Sequence, residues 1–236
     1  MSSRYAIYLA PPPDSPLWRF GSRALGRDAA TGESLEGFAP DGDSPQAWAA
    51  VAEEPRRYGF HATLKAPFRL REGRTRAELV ATLAALAKDV RAFDLGPLRV
   101  STLRPEGGDV GFVALTPAAP SPDLTSLEAR VLRDLDPFRA PPTEADIARR
   151  RPDLLSPRQR DHLDAWGYPY VLEEFRLHFT LSGAVAAPEA LAAKLALEFA
   201  RAAPDPGFRV DALVLFEQAD GAPFRIAERF PLLQAP

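Results

Sequence analysis

Two of the chain's three histidines stand in one tetrapeptide pattern, His61-Ala62-Thr63-Leu64 and His178-Phe179-Thr180-Leu181, 117 positions apart. Each copy opens the same succession of strand, helix and hairpin. After the first, Leu79, Leu83, Leu86, Val90 and Phe93 recur at helical spacing behind a Thr75/Glu78 capping box, predicting a helix over 75–93. Strands at 98–103 and 110–115 then form a hairpin around Gly107-Gly108-Asp109. After the second, a strand at 176–182 leads to a helix from Pro188 and to strands at 209–216 and 224–229 joined through Asp220-Gly221. That period is too long for a solenoid. It predicts an α+β fold duplicated into two lobes, with antiparallel sheets lining a central cleft and helices on the outside.

The remaining segments fit around this plan. Residues 4–9 read as a strand stopped by Pro11-Pro12-Pro13, and 16–25 and 45–53 as short helices capped by Ser15 and Ser44. A helix from Pro122 presents Leu124, Leu127, Val131 and Leu135 on one face. Residues 137–169, rich in proline and charge and with a helix at 157–166, read as an insertion acting as a lid between lobe motifs at 56–136 and 170–236. The whole chain, 1–236, reads as a single two-lobed domain.

Composition narrows the function. A net charge of −3 argues against a duplex-DNA partner held by bulk positive charge, and no apolar run approaches the roughly 20 residues that cross a bilayer. The absence of cysteine excludes thiolate chemistry and fits a reducing cytoplasm. No targeting segment is visible at the start of the chain.

Strand alternation places Gly59, His61, Thr63 and Lys65 on one face, and Arg176, His178, Thr180 and Ser182 on one face of the second copy. If the duplication brings these faces together, two imidazoles, two hydroxyls, an ammonium and a guanidinium converge on one concavity suited to an anion. Imidazoles titrate near pH 6.5, so near neutrality one could be neutral and the other protonated, as acid/base catalysis requires. Thr63, Thr180, Lys65 and Arg176 would bind a phosphate, and the chemistry needs no metal. Tyr58, Tyr168 and Tyr170 lie near the motifs as candidate substrate contacts, and at most one of Tyr5 and Tyr8 can face a cleft. His162 reads as a solvated helix residue, and the Arg149-Arg150-Arg151 run as a solvated helix end, with the gathering of a phosphorylated substrate at the lid as its alternative.

The paired His-X-Thr motifs resemble those of the two-histidine (2H) phosphoesterase superfamily, which includes LigT-like RNA ligases and cyclic nucleotide phosphodiesterases. More narrowly, the stretches Arg4–Asp28, Arg56–Phe68 and Gly167–Gly183 resemble a bacterial branch of unknown function associated with phosphonate metabolism. The resemblance implies a metal-independent fold of two lobes about a cleft, with no cofactor and with His61, Thr63, His178 and Thr180 in the active site. It further implies hydrolysis of a cyclic phosphodiester, on a ribose or a nucleotide. The expected partner is a small phosphorylated sugar or nucleotide, or an RNA end. A non-catalytic nucleotide or RNA-end binding protein using the same cleft is the alternative, and RNA ligation a third reading. A zinc hydrolase has too few evident ligands. Which histidine is acid and which base, and the oligomeric state, stay open at this level.

Overall fold

The computed structural model describes residues 3–104, 109–205 and 207–234. Eight strands form one antiparallel sheet: β1 (Arg4–Leu9), β2 (Ala62–Arg69), β3 (Phe93–Leu103), β4 (Phe112–Pro117), β5 (Phe179–Thr180), β6 (Gly207–Val210), β7 (Ala212–Gln218) and β8 (Arg225–Pro231). Their order is β6-β3-β4-β5-β2-β1-β7-β8. The helices are α1 (Pro16–Leu25), α2 (Pro45–Val51), α3 (Glu53–Arg56), α4 (Arg76–Asp89), α5 (Pro122–Leu135), α6 (Glu144–Ala148), α7 (Pro157–Trp166) and α8 (Pro188–Ala202).

The antiparallel α+β architecture is as expected, with the strands joined in one continuous sheet. Only Asp211 lies between β6 and β7, so their facing ends are within about 7 Å along the chain. Five strands nevertheless stand between them in the sheet, a span of roughly 29 Å if flat. The sheet must therefore curl so that its β6 edge returns toward β7. The predicted 209–216 strand breaks at this corner, where Leu232 N–H donates to the Asp211 carbonyl. Strands also mix the two sequence segments. The first segment's hairpin, β3–β4, lies beside β5 of the second, while β7–β8 lie on the far side of β1 and β2. The predicted Gly107-Gly108 turn lies outside the described residues.

Local signals set most helix starts. Ser15, Ser44 and Ser121 each accept a backbone N–H at the first turn of α1, α2 and α5, with proline just inside. The helix predicted to Phe93 ends at Asp89, because Val90 turns extended and Val90–Ala92 exchange backbone hydrogen bonds with Leu233. α5 packs on β2, α8 on β3 and β4, and α4 on β7 and β8. No helix among the described residues is long and apolar enough to cross a membrane.

Candidate active site

The two tetrapeptides meet where the central strands β2 and β5 begin, with His61 and His178 each immediately preceding its strand. Ala62 pairs with Phe179, and both are fully buried. Carrying that antiparallel register one residue each way sets His61 opposite Thr180 and Thr63 opposite His178. The motifs thus form a reciprocal square about the Ala62–Phe179 pair, with the histidines on its diagonal at an expected separation of about 7–8 Å. A cavity of about 300 Å³ opens over this square, lined by His61, Thr63 and Thr180 with Tyr8, Tyr58 and Tyr168. His178 is not among the lining residues; its ring stands behind Phe112, a wall residue, at 5.5 Å between ring centres. A larger cavity of about 480 Å³ between α1 and α2 contains no histidine.

Both imidazoles are held alike. His61 Nδ1 lies 2.8 Å from the Gly59 carbonyl and His178 Nδ1 lies 2.8 Å from that of Arg176. A carbonyl only accepts, so each Nδ1 carries the proton and each Nε2 of the neutral ring keeps a lone pair for chemistry. Tyr8 stacks on His61 with ring centroids 3.7 Å apart, fixing the ring plane. Burial pushes His61 down to about 4, the Gly59 carbonyl opposing and His178 adding to the fall. Burial likewise lowers His178 against the pull of the Arg176 carbonyl. Both shifts favour the neutral ring in the free protein.

Lys65 is not in the cleft. Tyr8 pairs with Thr63 but Ile7 with Lys65, so two steps on β2 match one on β1, and this β-bulge turns Leu64 and Lys65 to the same hidden side. There Lys65 is 3% exposed, with Nζ 3.2 Å from Asp136 and 3.3 Å from the Leu132 carbonyl on α5. Burial lowers it to about 8 against the pull of Asp136. Ala66 and Pro67 line the cavity instead.

Arg176 precedes β5, so strand alternation does not govern it; its side chain is exposed and its carbonyl serves His178. Nor does the predicted 176–182 strand form in full. Leu181 and Ser182 N–H both donate to the Val113 carbonyl, and Gly183 N–H leaves for Val51. The Ser182 hydroxyl accepts from Val113 N–H and donates to the Gly183 carbonyl, so it is committed to the backbone.

Tyr58 and Tyr168 line the cavity, whereas Tyr170 is 45% exposed and meets the site only edge-on through Tyr168. His162 is buried rather than solvated, because α7 docks on the turn at Leu172–Glu174, leaving Nε2 3.4 Å from Glu173. Arg150 is half-buried, with its guanidinium 4.7 Å from the Tyr168 ring centre and at the cavity wall. Tyr8 and Phe112 also line the cavity, the first hinted at by the alternation of β1, and Arg150 joins them from the arginine run whose alternative reading is the gathering of a phosphorylated substrate. Glu128 on α5 is fully buried, and both its oxygens accept from Leu172 N–H at 3.3 Å, holding a left-handed residue (φ 55) in the segment that delivers His178. Burial raises it to about 7, Leu172 N–H and Lys65 opposing. Among the described residues no group of three or more His, Cys, Asp or Glu could hold a metal ion.

The depressed His61 pKa links stability to pH. From its ordinary 6.5 in the unfolded chain to about 4 in the folded one, the unfolded state binds more protons, so this contribution falls as pH drops through that window. Glu128 acts in the opposite sense between about 4.5 and 7 and masks the effect in the wild-type curve. Denaturation at pH 7 and pH 4 isolates it: His61→Gln should gain about 3 kcal/mol relative to wild type on acidification. An unchanged difference would place His61 in water.

A curled antiparallel sheet with helices packed on it is the α+β architecture that the sequence led one to expect. Residues 63–225 match the family described as Protein of unknown function (DUF1045), and the chain belongs to it. Ribose 1,5-bisphosphate phosphokinase PhnN of Janthinobacterium sp. (strain Marseille) is 37% identical over 235 residues, covering 97% of this chain and 51% of that protein. The protein of the same name from Laribacter hongkongensis (strain HLHK9) is 37% identical over 241 residues, covering 98% and 52%. The chain thus spans about half the length of the curated relatives it matches. Among solved structures, a phosphoesterase superposes with a TM-score of 0.48 at 15% identity over 99% of this chain and 100% of that one. LigT of E. coli complexed with 3'-AMP superposes with a TM-score of 0.46 at 16% identity, again over 99% and 100%.

Proposed function

We propose that this protein is a phosphoesterase that hydrolyses a cyclic phosphodiester to a phosphomonoester by paired-histidine acid/base catalysis. The observation that carries the reading is the Ala62–Phe179 pair, which brings the two tetrapeptides together, with the Nδ1 of each histidine tied to a backbone carbonyl. One Nε2 takes a proton from water as its oxygen bonds to phosphorus; the other, entering protonated, gives its proton to the alkoxide as the ring P–O bond breaks. Thr63 and Thr180 donate to the non-bridging oxygens. The anionic substrate itself favours a proton on one of two otherwise neutral rings.

Ribose phosphates are the substrates favoured by the relatives' name. Opening a 1,2-cyclic phosphate on ribose 5-phosphate at the C2 oxygen yields ribose 1,5-bisphosphate, the compound on which the longer relatives are named to act.

The pH profile tests the mechanism. One ring must be neutral and one charged, so kcat/KM should be bell-shaped, with its acid limb near pH 4 and its alkaline limb below pH 6.5. Activity should survive EDTA. An optimum above pH 8, or loss of turnover on chelation, would contradict the paired-imidazole mechanism.

A further inference from the structure

A second cavity of about 250 Å³ adjoins the histidine cavity and shares Glu54, Tyr58, Pro67 and Arg150 with it. Its walls carry five arginines, Arg4, Arg69, Arg139, Arg149 and Arg150, against two carboxylates, Glu54 and Asp146. Asp146 is already engaged. It bonds Arg69 at 2.9 Å, pairs with Arg149 and caps α6 through Thr143. Arg139 is held by Asp136 at 2.7 Å. Arg4 and Arg150 form no ion pair among the described residues: Arg4 Nε donates to the Gln218 side-chain oxygen at 2.7 Å, and Arg150 lies against the Tyr168 ring. Burial, with Arg149 and Arg69 adding repulsion, lowers the Arg4 pKa, while Tyr58 and Asp146 oppose this. Gathering this much positive charge in a chain of net charge −3 costs free energy that a bound anion offsets.

Resting on the reading of the histidine cavity as the hydrolytic site, we infer that the adjoining arginine chamber binds a second phosphate of the same substrate, remote from the cyclic phosphate, with Arg4 and Arg150 as its principal ligands. The two cavities adjoin through the wall they share, Glu54, Tyr58, Pro67 and Arg150, so a small sugar bearing phosphates at both ends suits the pair. Together the cavities fall within the roughly 300–1,000 Å³ usual for small-molecule sites. An arginine fork matches a terminal phosphate dianion, which exposes more acceptor oxygens than a diester does. The substrate class is accordingly a cyclic phosphate of a phosphorylated sugar.

Two measurements separate this inference from the reaction on which it rests. In calorimetric titration, D-ribose 5-phosphate should bind the wild-type protein and D-ribose should not; Arg4→Gln and Arg150→Gln should each weaken ribose 5-phosphate by at least about tenfold. In turnover, the ratio of kcat/KM for ribose 1,2-cyclic phosphate with and without a 5-phosphate should exceed about tenfold and collapse toward one in both variants. Arg150→Lys, which retains charge without the fork, should recover part of the binding, guarding against misfolding as the cause of the loss. Loss of ribose 5-phosphate binding in the variants with no turnover of either cyclic phosphate would uphold the subsite and reject the hydrolytic reading. Equal turnover with and without the 5-phosphate, or equal binding by wild type and both variants, would overturn the inference.

Discussion

Replacing His61 by Ala is expected to lower kcat/KM for the cyclic phosphate by at least about a hundredfold, and replacing His178 to do the same. Each ring has its Nδ1 tied to a backbone carbonyl and so keeps Nε2 for chemistry, and base and acid are different roles, so neither ring can substitute for the other. Water attack without a base and alkoxide departure without an acid are separately slow. The double variant should therefore lose little more than either single one, as expected for groups acting as a unit. His61→Gln is the sharper comparison for folding, since it keeps a polar side chain beside Tyr8. A single variant with full activity would leave the pair without a catalytic role.

The largest effect on stability is expected at Phe60. Its ring is fully buried, packs 5.2 Å from Phe179 and fills the space in front of Gly21, where an added Cβ would lie 2.2 Å from the ring. Phe60 and Phe179 adjoin His61 and His178 in sequence, so this contact locks together the strands that carry the histidines. Phe60→Ala should cost about 3–5 kcal/mol, a fall in Tm of about 10 °C, with activity lost ahead of unfolding. Thermal denaturation checks it. A cost below about 1 kcal/mol would show that the central strands are held by something else.

The contrast between what the sequence revealed and what it concealed follows interaction range. α1 and α7 begin and end where their capping serines, prolines and following glycines place them, and α5 and α8 start where their prolines predict, because those signals act within a turn. The His-X-Thr repeat pointed to His61, Thr63 and Thr180, which line one cavity, and to His178, which lies close by beside Phe112. The fate of Lys65 was hidden, since it depends on how β1 registers against β2 some sixty residues away, and the bulge just after Thr63 changes the side that the next residues take. The curl at Asp211 and the truncation of β5 likewise arise from partners distant in sequence. Arg150 and His162 looked like surface charges on helices, and only the docking of 137–169 against the sheet and the Leu172–Glu174 turn shows otherwise.

Phosphorus NMR on the protein mixed with ribose 1,2-cyclic phosphate in EDTA is the most direct test. The wild type should convert the cyclic resonance to that of a monoester, with one oxygen from labelled water in the product phosphate, while the His61→Ala/His178→Ala double variant leaves the cyclic signal intact. A wild-type sample that converts neither this compound, its 5-phosphate nor a nucleoside 2',3'-cyclic phosphate, or a double variant that converts them as fast, would contradict paired-imidazole hydrolysis.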